Sequence, residues 1–436
     1  MKSFNRRNAL KLTASSIALL MASSAVFSQV KITVTGGQFT PLPIAIPDFA
    51  SSDASFGLEL SDIVRSNLTR SGLFNIIDKA SLPLQTGDVA QTPNFSSWQS
   101  TKADALVMGQ VERTAQAQGS VRVWDVQASE QVVGKSYSTD ANNYRRIAHQ
   151  ISDVIYSSLT GEGGYFDSKI VYVAESGPKA NRVKRLVIMD YDGANLQYLT
   201  SGKTAALTPR FSANGKLLTY INFDDGRPQV YLLDLASGKQ QRLGSFGQVT
   251  FSPRFAPDGR TIIFSVEQGG TTNIYSMPIG SNKPKQLTSG AAIDTGGSYS
   301  PDGSKIIFES DRGGSQQLYV MSASGGGAQR ISFGKGSYST PVWSPKGDLI
   351  VYTKQSEGQF HIGIMKPDGS GERVLSSAFH MEGPTWSPNG RVIMYFSDPG
   401  GNNGAALYSI DIWGRNLQKV ATPTFASDPA WSPLLS

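Results

Sequence analysis

The chain has no cysteine among its 436 residues and only three histidines. The first absence excludes disulfide staples, so packing alone must hold the fold, even in an oxidising compartment. The second leaves little for zinc, which wants clustered His or Cys, because His149, His361 and His380 are far apart in sequence. No Gly-x-Ser-x-Gly occurs either, and no Ser-His-acid grouping can be assembled from the sequence.

Long apolar runs are also missing, except at the start. Lys2, Arg6, Arg7 and Lys11 precede a stretch from Leu12 to Val26 of mainly apolar and small residues, followed by Val26-Phe27-Ser28 as a cleavage site. Residues 1–28 therefore read as a signal peptide, with the mature chain starting at Gln29. A membrane anchor is the competing reading, but Thr13, Ser15, Ser16, Ser23 and Ser24 break a run that is already short. Arg6-Arg7-Asn8-Ala9-Leu10-Lys11 is similar to the twin-arginine export motif, with Ala9 where that motif usually carries Phe, so the export route stays open. Setting aside the four basic residues of this leader lowers the formal net charge from +6 to +2. Nucleic acid loses its electrostatic case as a partner.

What the chain does have is a repeat. Phe211, Phe255, Tyr299, Trp343, Trp386 and Trp431 fall at intervals of 44, 44, 44, 43 and 45 residues, and most open a phrase close to aromatic-Ser-Pro-Asp-Gly. A period in the low forties, with short strands between turn signals, marks a β-propeller in which each repeat supplies one four-stranded blade. The second strand of the repeat occurs six times, at Ile170-Val171-Tyr172, Leu218-Thr219-Tyr220, Ile262-Ile263-Phe264, Ile306-Ile307-Phe308, Ile350-Val351-Tyr352 and Ile393-Met394-Tyr395. The first copy lacks an inner strand before it, while the last, Pro429-Ala430-Trp431-Ser432-Pro433, has an inner strand and nothing after. Joining the two halves predicts a six-bladed ring closed by the C-terminal strand, which removes exposed sheet edges.

Ahead of the repeats, residues 29–160 read as an N-terminal α/β domain. The spacing predicts strands over 42–49, 73–77 and 105–111, a hairpin over 121–126 and 132–137, and two amphipathic helices. The first helix, 58–70, places Leu60, Ile63, Val64 and Leu68 on one face and stops at Gly72; the second, 142–159, carries Ile147, Ile151 and Ile155 at helical spacing, with His149 on its exposed face. Residues 161–168 read as a linker and 169–436 as the propeller.

Chemistry is sparse. The Ser-Pro-Asp-Gly phrases supply a proline for φ near −65° and a glycine for positive φ, which is turn chemistry. Lys346, Asn389 and Asn214 replace the Asp in three copies, which argues against a metal role for it. The recurring aromatics read as core between blades. No cofactor is required, although calcium in the propeller channel, on Asp294 and Asp428 for example, would leave little sequence trace. A binding platform on one mouth of the ring is the reading that remains; a hydrolase acting on a periplasmic sugar or peptide at that mouth is the alternative.

The runs Tyr144-Arg145-Arg146-Ile147-Ala148-His149-Gln150-Ile151-Ser152-Asp153, Leu159-Thr160-Gly161-Glu162-Gly163-Gly164-Tyr165-Phe166 and Lys169-Ile170-Val171-Tyr172-Val173-Ala174-Glu175 resemble the domain junction of the TolB family, the periplasmic component of the Tol-Pal system. The resemblance extends over the whole chain. It implies a non-enzymatic periplasmic protein that binds the lipoprotein Pal through the propeller and TolA through its N-terminal segment, supporting outer-membrane invagination and integrity during division. It also implies a monomer not inserted in the membrane. Carried over by position relative to the inner aromatics, the Pal face comprises Val249, Ser252, Asp294, Thr295, Tyr338, Ser339, His380, Met381 and Glu382. Val249, Ser252 and Thr295 align with positions that matter in the family; Thr295 keeps the residue type, and Val249 stands where the family can carry His. Tyr338, Phe379, His380 and Met381 are expected in loops as contact residues, with Asp294 and Glu382 orienting a partner at the rim. The TolA segment is Gln29, Val30, Lys31, Ile32, Thr33 and Val34, whose alternation suits an added β-strand.

Overall fold

The computed structural model describes residues 40–83, 89–244, 248–400 and 403–435. The expected signal peptide and the segment 29–34 lie outside the described residues.

The first layer is a five-stranded sheet built from β1 (Leu42–Ala45), β2 (Phe74–Ile76), β3 (Ala105–Arg113), β4 (Gln116–Asp125) and β5 (Glu130–Asp140), in the order β2-β1-β3-β4-β5. β1 pairs in parallel with β2 and β3, and the remaining ladders are antiparallel. Helices α1 (Ala54–Ser71) and α3 (Arg145–Thr160) cover one face, and the short α2 (Phe95–Gln99) lays Trp98 on the other. The alternation of β3 explains both contacts: Val107 and Val111 turn to the helices, Leu106 and Met108 to Trp98 and Trp124.

Local chemistry sets the boundaries. α1 starts a turn earlier than its apolar periodicity suggests because the Asp53 carboxylate accepts the N–H groups of Ser55 and Phe56. It ends where Gly72 takes φ 73°. The first strand stops at Ala45 rather than 49, and Pro47 just beyond has no N–H with which to extend a ladder. The opening turn of the second predicted helix is a 3-10 turn, Ala141–Asn143, and α3 proper begins at Arg145.

Six four-stranded sheets follow. Five are contiguous in sequence. The sixth takes Phe425–Trp431 as its inner strand beside β6 (Lys169–Ser176), β7 (Val183–Asp190) and Gln197–Tyr198, with Trp431 opposite Ile170 in an antiparallel register. The ring is closed in the way the split repeat requires.

Each inner strand carries a register shift against its neighbour. At each shift one residue turns to positive φ: Thr208, Ser252, Gly296, Thr340, Gly383 and Asp428, between 46° and 68°. These are β-bulges, which bend the strand and raise its twist close to the channel. A β-branched residue there is strained. Thr340 is held by its own contacts, its N–H donating to Glu309 Oε2 at 2.7 Å and its hydroxyl meeting that of Thr353 at 2.7 Å.

Residues 161–168 have no regular structure, but they are packed. Tyr165 and Phe166 are buried among Tyr156 and Tyr191, with Tyr165 edge-on to Trp431. The Asp153 carboxylate accepts the N–H groups of Phe166 and Asp167 at 2.7 and 2.9 Å. Burial pushes this carboxyl up to about 6. A single apolar core runs from α1 and α3 through these aromatics into the closing blade.

Candidate functional site

Because the strands of each blade are antiparallel, the ring has two unlike mouths. One is framed by the loops that enter the inner strands, the other by the Ser-Pro-x-Gly turns that leave them. The α/β domain sits on the turn end: Glu162 accepts from both Lys346 and Arg391, and Asn389 Nδ2 donates to the Gly163 carbonyl at 2.8 Å. This accounts for two departures from the repeat. An Asp at position 346 would face the Glu162 carboxylate, whereas Lys346 neutralises it, and Asn389 supplies the donor that Asp lacks. At Asp302 the carboxylate accepts from Ser300 Oγ, Ser304 N and Ser304 Oγ, which hold it down to about 2.

The loop end is open and partly apolar. Ile293, Phe333 and Phe379, on the approaches to three successive inner strands, are 49%, 73% and 68% exposed. His380 stacks edge-on between Phe360 and Phe396 and lies 3.9 Å from the Glu382 carboxylate; both side chains are 36% exposed. Val249, Ser252 and Ser339 are half-buried nearby. Thr295 is buried, its hydroxyl bonded to those of Ser265 and Ser252 at 3.0 and 3.3 Å.

Four expected contact residues sit differently. Tyr338, His380 and Met381 lie in inner strands, not loops, and Tyr338 and Met381 are buried: Tyr338 donates to Glu372 at 2.7 Å, and Met381 packs in the core between two blades. Asp294 is not on the rim. Arg312 Nη2 donates to both of its oxygens at 2.9 and 2.8 Å, and Asp294 is fully buried. That pairing also occupies the carboxylate offered for calcium. Of the exposed apolar members of this face, Phe333 carries no repeat signature and lies outside the segments the sequence pointed to.

Inside the channel lies a group that the repeat average conceals. Glu309 and Asp428 project from the upper half, with the half-exposed Glu382 at the lip above them; desolvation raises all three, Glu309 up to about 7, and the Asp428 charge adds to the effect on Glu382. Below them Arg210 and Arg254 occupy equivalent positions on adjacent inner strands, two residues beyond the bulge. Burial disfavours the charged form of both, and Arg210 adds to the effect on Arg254. The signal was present in the sequence: the six equivalent positions read Arg210, Arg254, Ser298, Val342, Thr385 and Ala430, so two charges interrupt an uncharged column.

His149 is buried, contrary to its expected exposure on the helix. Its Nδ1 meets Asn67 Nδ2 at 3.1 Å, and its Nε2 lies 3.9 and 4.0 Å from Asp190 and Asp192. Among the described residues this trio is the one grouping with metal-ligand spacing. The surroundings do not suit a metal. Arg145 and Lys169 already pair with the two carboxylates, and Asn67, whose carbonyl accepts from Tyr191, turns its amide toward Nδ1. That fixes the ring hydrogen on Nε2, where a metal would need a lone pair. His361 lies between the Ser356 and Ser377 hydroxyls, 3.0 and 2.7 Å away, with serine where a triad would place an acid.

Two family profiles match the chain: the TolB amino-terminal domain over residues 30–132 and the TolB beta propeller domain over residues 156–435. The crystal structure of TolB from Acinetobacter baumannii is 28% identical and superposes with a TM-score of 0.79, over 91% of this chain and 97% of that one. Two more distant chains share the fold alone. Hydrazine synthase of Kuenenia stuttgartiensis is 16% identical, with a TM-score of 0.50, over 61% of this chain and 47% of that one. A chain of a nidogen/laminin complex is 10% identical, with a TM-score of 0.50, over 62% of this chain and all of that one.

Proposed function

The chain belongs to the TolB family, and from that premise we propose that it is a non-enzymatic periplasmic adaptor of the Tol-Pal system. It binds Pal at the loop end of the propeller and TolA through residues 29–34. It thereby supports outer-membrane invagination and integrity during cell division.

The observation that carries the Pal face is the exposure of Ile293, Phe333 and Phe379 on the approaches to three successive inner strands, at the mouth facing away from the α/β domain. Large apolar side chains grouped around a rigid ring, with His380 and Glu382 at their edge, have the composition of an interface centre with a polar rim. Val249, Ser252, Thr295 and Ser339 form the wall behind them; Tyr338, Met381 and Asp294 support the face from beneath rather than touching the partner. The interface buries on the order of 1,200 to 2,000 Å² in total.

Calorimetric titration with the soluble domain of Pal tests this. One-to-one binding by the wild type that is lost in Phe379→Asp and in Phe333→Asp, both at exposed positions, supports both partner and face. Binding untouched by both substitutions moves the site, and the absence of binding in the wild type removes the adaptor reading.

One observation favours a second reading, a hydrolase at the channel. Glu309 and Glu382 are neighbouring carboxylates with raised affinity for protons, as acid catalysis uses. Glu309, however, is engaged in holding the strained Thr340 N–H.

A further inference from the structure

The turn-end mouth of the channel forms an open depression of about 290 Å³. Its only charged lining residues are two arginines, beside the hydroxyls of Ser298, Tyr299, Ser344 and Thr385. Arg210 and Arg254 project into it, and no Asp or Glu lines it. Among the described residues the Arg210 head makes one hydrogen bond, to the carbonyl of Pro209, Arg254 makes none, and no carboxylate lies within ion-pairing distance of either. Asp428 and Glu309 act on the pair only from further up the channel.

A second observation concerns the hydroxyls. Ser298 Oγ accepts the N–H of Trp343 at 3.4 Å, and Thr385 Oγ1 accepts that of Trp431 at 3.2 Å. Both hydroxyls line the cavity. Each accepts one backbone N–H and keeps its own O–H, which can be turned toward the cavity. Two guanidinium groups side by side repel each other and are costly to desolvate unless an opposite charge meets them. Two cations with no carboxylate among the cavity's lining residues, beside two hydroxyls, define the complement they require.

We infer that this mouth binds a small oxyanion, with Arg210 and Arg254 clamping a carboxylate or phosphate group and the Ser298 and Thr385 hydroxyls completing its hydrogen bonds. The guanidinium fork matches both groups in plane and spacing. The walls between the donors are the faces of Phe255, Tyr299, Trp343 and Trp431, which suit a short organic body attached to the anion. The site is at the opposite end of the ring from the proposed Pal face and does not depend on it.

Succinate and inorganic phosphate, titrated separately into the full chain at low ionic strength and followed by calorimetry and by tryptophan fluorescence, test the assignment. The expected result is saturable binding of at least one of them, weakened about tenfold or more in Arg254→Gln and in Arg210→Gln. Binding by succinate alone identifies an organic carboxylate as the ligand, and by phosphate alone a phosphate. Arg254→Lys keeps the charge while removing the fork, and it is expected to fold and to bind more weakly than the wild type, so a failure of the Gln variants to fold does not end the test. Neither anion binding the wild type overturns the proposal, as does equal binding by wild type, Arg254→Lys and the Gln variants. Arg242→Gln, distant from the cavity, is expected to bind as the wild type does.

Discussion

Trp431 donates its indole N–H to the Ser168 hydroxyl, 2.8 Å away, across 263 residues of chain. The bond ties the last strand to the residue just ahead of the first one, and the same tryptophan packs against Tyr165 in the segment between domains. Ring closure and the seating of the α/β domain therefore share a side chain.

A chain truncated from Asp428 is expected to lose both. It leaves β6 as an open sheet edge and removes Trp431 from the core that joins the domains. A large fall in melting temperature, with increased aggregation, is the expected outcome. An unchanged melting curve by circular dichroism would sink the closure argument.

Glu162→Gln tests the contact between the domain junction and the propeller turns. It removes the charge that Lys346 and Arg391 share. Because the carboxylate is partly exposed, solvent screening limits the expected loss to about 1 kcal/mol. A double-mutant cycle with Arg391→Gln in urea unfolding should return a coupling energy of that order, and additive effects would show the contact to be idle.

Asp294 and Glu382 should separate cleanly on substitution. Asp294→Asn strands the Arg312 guanidinium against a buried amide, and a loss of about 2 to 3 kcal/mol is expected, discounted from a fully buried pair because Arg312 is half-exposed. Glu382→Lys, at the rim, should instead slow Pal association while leaving the melting temperature near wild type. Stopped-flow association and thermal melting on the same samples discriminate; the reverse assignment would refute the placement of the two residues.

Stability should depend on pH through Glu309. Burial raises this carboxyl to about 7 from an ordinary 4.5, so the folded state holds the proton more tightly than the unfolded chain between those values. Its contribution is fully present below 4.5 and is lost as pH rises through 7. Glu309→Gln keeps an acceptor for the Thr340 N–H and has no charge to bury. Relative to that variant the wild type should lose stability as pH is raised from 4 to 8; parallel stability curves for the two proteins would contradict it.

Repetition made much of this legible. The six aromatics fixed the blade count, and the split between the segment before Lys169 and the phrase ending at Pro433 fixed how the ring closes, because a strand without neighbours must find them elsewhere. The face was harder. Tyr338 and Met381 are large and lie near the turns of phase, but a strand period of two sends each inward, which a loop assignment could not reveal. Asp294 looked like a rim charge because its partner, Arg312, lies 18 residues on in the neighbouring hairpin. His149 faces the propeller, and nothing in the helical pattern records that a second domain covers that side. Arg210 and Arg254 stand out as the two charges in the column immediately before the repeat aromatics.

The bulges themselves bear on how such a chain changes its length. Thr208, Ser252, Gly296, Thr340, Gly383 and Asp428 follow one another at 44, 44, 44, 43 and 45 residues, the same uneven series as the aromatics three positions on. Each blade resets its own reading frame at the channel, so a residue gained or dropped in an outer loop stays within that blade and never shifts the next. Outer loops are thereby free to lengthen and diversify one at a time, while the six channel positions stay in phase.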